Sequence, residues 1–150
     1  MNRGRPQHPG SRLVTAALAC VLSFLSQAGA AEFHFVAEER GEKRAAWVPE
    51  QAVIHRSTEM QDGLVFILEN PMDRTHAFAA YGLFEEVLGA HGEIMKKPLR
   101  VNVTSEDTVR VQVSTAQFDG RTDVVSEAFP FFCPLHKGDA HVGGVIHVVP

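Results

Sequence analysis

The sequence predicts an all-β chain folded as a Greek-key β-sandwich with one short helical insertion, and three observations predict it. About seven short segments of alternating or continuous apolar residues follow one another over roughly 120 residues. Turn-forming Gly, Pro, Asn and Asp punctuate them, as in Greek-key sandwiches and unlike α/β chains. Only one stretch departs from strand periodicity.

Glu32-Phe33-His34-Phe35-Val36 alternates and predicts the first strand, and Gly41 to Arg44 predicts a polar turn. Trp47 to His55 reads as extended, broken at Pro49, where the missing N–H suits an edge strand or a bulge. Leu64 to Leu68 is a continuous apolar run between Gly63 and Asn70-Pro71, the pattern of a buried central strand. In Leu83 to Met95, the residues Leu83, Phe84, Val87 and Leu88 fall at helical spacing, with Glu85 and Glu86 on the other face and Gly89 as a stop. That predicts the short helix. Leu99 to Val103 and Val109 to Val113 alternate, Ala128 to Cys133 is an aromatic strand, and Val145 to Val149 is the last. Trp47, Phe66, Phe129 and Phe131 are the expected core aromatics.

The chain has 150 residues, 45% of them apolar, which suits one globular domain with a substantial core. Its first thirty residues differ from the rest. Arg3, Arg5 and Arg12 form a basic leader without acids, Leu13 to Leu25 is mostly apolar, and Ala28-Gly29-Ala30 offers the small residues a signal peptidase requires. The apolar run is too short to span a bilayer comfortably, which predicts a cleaved secretory signal over 1–30, a mature domain over 31–150, and no stable membrane insertion. Cys20 lies inside the apolar run, a poor position for a lipid anchor. The expected location is the periplasm or another exported compartment.

Cleavage removes three of the 14 basic residues and none of the 18 acidic ones, leaving a formal charge of −7. Such a surface repels nucleic acid phosphates. It also leaves Cys133 as the sole cysteine, which excludes an internal disulfide. A lone thiol in an oxidising compartment is a liability unless it is buried or committed to a metal or to chemistry.

Cys133-Pro134-Leu135-His136 places an imidazole three residues after the thiol, and His141 follows five residues later, before Gly143-Gly144. A short loop of this spacing between two strands can bring thiolate and imidazole to one point. Soft sulfur suits Cu(I) and nitrogen suits Cu(II), so the pair accommodates both oxidation states of copper.

Cys133, His136 and the tail Gly144-Val145-Ile146-His147-Val148 resemble the ligand loop of plastocyanin-like cupredoxins, Cys-x2-His-x4-Met closing into a Gly-x-Ile/Val-x-Val strand. Where that family carries its axial methionine, this chain has His141, and Cys-x2-His-x4-His is similar to the loop of the red copper protein nitrosocyanin. Asn70 to Phe78 resembles the segment in which cupredoxins present their first histidine ligand, here His76; nitrosocyanin has a glutamate there. The resemblance implies one copper ion cycling between Cu(I) and Cu(II), held by His76, Cys133, His136 and His141, with zinc as the lesser alternative. His141 stays open between a fourth ligand and a bystander beside a three-ligand site. Glu85 and Glu86 match no ligand position. His34, His55, His91 and His147 read as surface or cross-strand residues, and Phe132 as a wall that keeps water from the metal.

The chain contains no Ser-His-Asp order, paired-carboxylate motif or phosphate loop. The expected role is therefore a one-electron carrier serving a redox partner protein, not an enzyme. A nitrosocyanin-like redox enzyme with an open copper position, and a periplasmic copper storage or delivery protein, are the alternatives.

Overall fold

In the computed structural model, the described residues are 29–40, 45–120, 125–135 and 141–150. The expected signal segment lies almost wholly outside them. The described residues form ten strands: β1 (Ala31–Glu39), β2 (Ala45–Val48), β3 (Gln51–His55), β4 (Leu64–Asn70), β5 (His76–Leu88), β6 (Ile94–Val103), β7 (Asp107–Val113), β8 (Glu127–Phe132), β9 (His141–Val142) and β10 (Gly144–Val149). One helical turn, α1 (Arg56–Glu59), and a 3-10 turn at Ala116–Phe118 complete the elements. The all-β sandwich expected from the sequence is the fold observed.

Strand order is β3-β10-β8-β5-β7-β4-β1-β2-β9, with β6 added to β5. Neighbours mostly run antiparallel, but β1 pairs with β4, β3 with β10 and β2 with β9 in parallel. Each parallel pair joins strands that are not consecutive in sequence, which no short hairpin could connect. β4 is central as expected, lying between β7 and β1 with Leu64 to Leu68 all buried.

The core is aromatic. Phe35 meets Phe66, Phe78 and Phe131 at ring separations of 5.2, 4.9 and 5.3 Å, and Phe78 stacks on Phe131 at 5.1 Å. Trp47 closes edge-on against Phe78 at 5.5 Å. Edge-to-face and offset packing suits the ring quadrupoles and fills the gap between sheets densely.

The helix expected over Leu83 to Met95 is not formed. Those residues are the outer half of a hairpin in which Glu85 faces Lys97, Glu86 faces Lys96, Val87 faces Met95 and Leu88 faces Ile94. Opposite charges thus face one another across the hairpin, which offsets part of the cost of burying the Glu85 carboxylate. The hairpin closes through Gly92 N–H to Gly89 O at 3.1 Å, with Gly92 at positive φ. Its register shifts between Ala79 and Phe84, around Gly82 at φ 86°. That glycine bends β5: Ala79 and Ala80 pair with β8, whereas Glu85 pairs with Val113 of β7. A positive φ there favours glycine, and a side chain would press on the Phe129 ring.

Candidate metal centre

His76 is the first residue of β5 and Cys133 directly follows β8. Ala79↔Phe132 and Ala80↔Phe131 pairing lays the two strands side by side, which carries Cys133 to the start of β5. Both side chains are buried, each about 1% exposed. The backbone N–H of Ala77, the residue after His76, donates to Cys133 Sγ at 3.2 Å. A buried sulfur that accepts an amide hydrogen is held in a fixed position.

The approach to His76 is fixed by Asn70, which is wholly buried. Its Nδ2 donates to the carbonyls of Arg74, Val103 and Thr104 at 2.8, 3.0 and 2.9 Å, so two hydrogens serve three acceptors. Its Oδ1 accepts the Met72 N–H at 3.2 Å. Asparagine suits this post because it supplies both donors and an acceptor where backbone groups would otherwise be stranded. One side chain thus ties the 71–75 turn to the end of β6 and delivers His76 into the interior.

At the same residue, Trp47 Nε1–H donates to the carbonyl of Ala77 at 2.9 Å. Phe132 is half-buried, and its ring packs against Tyr81 at 5.0 Å. With Pro134 it lines a mostly apolar groove of about 390 Å³ that Phe84, Pro98 and Arg100 also line. Phe132 thus faces this groove, next in sequence to the buried Cys133.

His141 opens β9, where its backbone pairs with Ala45 of β2. His136 lies outside the described residues. Of the four expected ligands, then, His76 and Cys133 are brought together with their surroundings visible, and among the described residues no three or more His, Cys, Asp or Glu side chains form a metal-binding cluster. The visible pair fits copper by donor chemistry: one sulfur and one imidazole, out of contact with solvent. Glu85 and Glu86 lie beyond the bend in β5, opposite lysines. Burial pushes the Glu85 carboxyl above its ordinary value, against the opposing pull of Lys97. His34, His55 and His91 are exposed and His147 is half-buried in β10, consistent with surface and cross-strand roles. Sequence reasoning had no access to the Ala77 amide, and it passed over the Trp47 indole as simple core.

No family model matches the chain, and no curated protein sequence does. Solved structures do. The McoA multicopper oxidase 2F4 variant from the hyperthermophile Aquifex aeolicus superposes with a TM-score of 0.57 at 15% identity, over 81% of this chain and 30% of the oxidase. A laccase from Pediococcus acidilactici Pa5930 gives a TM-score of 0.54 at 15% identity, over 95% of this chain and 32% of the laccase. A multi-copper oxidase from Pseudomonas Thermotolerans gives 0.51 at 15% identity, over 80% and 30%. The chain spans about a third of the length of these oxidases. Its fold is the cupredoxin-like β-sandwich found in their domains.

Proposed function

We propose that this chain is an exported mononuclear copper protein that carries single electrons, with copper held by Cys133, His76, His136 and His141. The observation that carries the reading is the Ala77 N–H bond to Cys133 Sγ beside a buried His76. The amide fixes the sulfur next to the residue that follows His76, so a thiol and an imidazole donor are presented from neighbouring strands. The fold of the multicopper oxidase domains supports the same reading.

Bound copper would supply a one-electron couple between Cu(I) and Cu(II). The chain's part is to hold the donors so that they move little when the charge changes. Asn70 fixes the turn before His76, and the β5–β8 pairing fixes Cys133. With copper bound, the Ala77 amide would withdraw charge from the sulfur, which would favour the reduced state and raise the reduction potential. The Phe35, Phe78 and Phe131 cluster behind the site keeps it dry. The signal-like leader supports a periplasmic or other exported location, and a redox partner protein is the counterpart such a carrier requires.

Titration of the mature chain with Cu(II), followed by optical absorption and EPR, tests this. An intense sulfur-to-copper charge-transfer band that saturates at one equivalent is the expected result. A colourless complex, or tighter binding of Zn(II) without any such band, would overturn it. Added azide should leave the band unchanged in a carrier and shift it in an enzyme with an open copper position.

A further inference from the structure

We propose that Trp47 is a positioning residue for the sulfur of Cys133, acting through the backbone of Ala77; the part of this that concerns copper rests on the function proposed above. Trp47 lies on β2, whose backbone pairs with β9 at Ala45↔His141. From that strand its indole reaches across the core, where it is 2% exposed, and donates to the Ala77 carbonyl at 2.9 Å. The amide of the same residue donates to Cys133 Sγ at 3.2 Å. Both polar backbone groups of one β5 residue are therefore engaged, the carbonyl by an indole N–H and the amide by a sulfur.

β2 thereby touches three parts of the expected ligand set. It holds the strand that begins with His141 through backbone pairing, it holds β5 next to His76 through the indole, and it sets the Ala77 amide against Cys133 through the same bond. The bond is buried, so its loss would leave the Ala77 carbonyl without its donor and free β5 to shift at that residue. Packing alone does not account for it: the Trp47 ring already meets Phe78 at 5.5 Å, and a phenylalanine would fill much of that space. The indole differs from phenyl in carrying a donor, and that donor is spent on the residue that addresses the sulfur.

Trp47 is the only tryptophan of the chain, so replacing tryptophan by benzothienylalanine during expression alters this position alone. That analogue keeps the bicyclic shape and loses the N–H. Trp47→Phe is the genetic counterpart. In the metal-free chain, the Ala77 amide should exchange with solvent about fivefold faster or more, the change expected on losing one hydrogen bond. In the copper-loaded chain the charge-transfer band should move to lower energy and the reduction potential should fall, because a weaker amide bond leaves more charge on sulfur.

Unchanged Ala77 exchange in the benzothienyl protein overturns the proposal. So does a lower melting temperature accompanied by an unchanged band and potential, which would make Trp47 packing only. If the native chain shows no charge-transfer band with Cu(II), the copper reading falls. The positioning of Cys133 by Trp47 is then decided by amide exchange, where faster exchange supports it and unchanged exchange refutes it.

Discussion

The amide nitrogen of Ala77 lies 3.2 Å from the sulfur of Cys133, so a residue of β5 addresses a side chain 56 positions later in the sequence. Neither group can be reached by water, and the contact rests on the Asn70-braced turn, on the β5–β8 register and on the Trp47 bond to the Ala77 carbonyl.

Asn70→Ala removes the donor to three carbonyls and the acceptor for the Met72 amide, all at a buried position. Urea denaturation should show a loss of about 2–4 kcal/mol, the range for stranding several buried polar groups. The same variant should bind Cu(II) more weakly, since the turn that delivers His76 is no longer tied down. A loss below about 0.5 kcal/mol would show that the turn holds without Asn70.

Gly144→Ala should be costly. A Cβ at this position would run into the Phe131 ring and the Glu50 carbonyl oxygen, and the second of these is backbone that cannot swing aside. Overpacking of this kind costs about 1–3 kcal/mol or more, readable as a fall in melting temperature.

The strand pattern was legible wherever one face of a strand meets the core. Phe33 to Val36, Val109 to Val113 and Val145 to Val149 became strands because burial on one side enforces alternation, and Leu64 to Leu68 because burial on both faces enforces a continuous apolar run. Leu83 to Leu88 misled because the strand leaves the core after Leu83, so no core face enforces alternation over its outer residues. Leu83 is 2% exposed while Leu88 is 73% exposed, a contrast that a single buried helical face would not produce. The signal for the hairpin was present in the chain: Glu85-Glu86 and Lys96-Lys97 stand symmetrically about Gly89 and Gly92. Cys133 was legible as a candidate from the spacing of its loop and His76 from the Asn-led turn before it, and the structure brings their strands side by side. The Ala77 amide and the Trp47 bond were not, because backbone donors and cross-core contacts leave no mark on local sequence.

That same contrast makes the hairpin testable. Leu83→Ala should cost about 2–5 kcal/mol, as for a buried leucine. Leu88→Ser should stay within about 0.5 kcal/mol, as for an exposed position. Comparable losses at both sites, measured by chemical denaturation, would favour a helix packed through one face.

Glu85 supplies a pH signature. Burial raises its carboxyl above the ordinary value of 4.5, so the folded state holds that proton more tightly than the unfolded state does. Its favourable contribution is complete below that ordinary value and is lost as pH rises through the raised one. Glu85→Gln should therefore raise the melting temperature at pH 7, and the advantage should vanish below about pH 4.5. An advantage that persists unchanged into acid would assign the effect to something other than ionisation.

X-ray absorption at the copper edge of the loaded mature chain tests the central claim most directly, because it reads the atoms bound to the metal. The account predicts one sulfur together with two or three imidazole nitrogens, and loss of the sulfur in Cys133→Ala. A shell of nitrogen and oxygen alone in the native chain, or the same shell with and without Cys133, would contradict it.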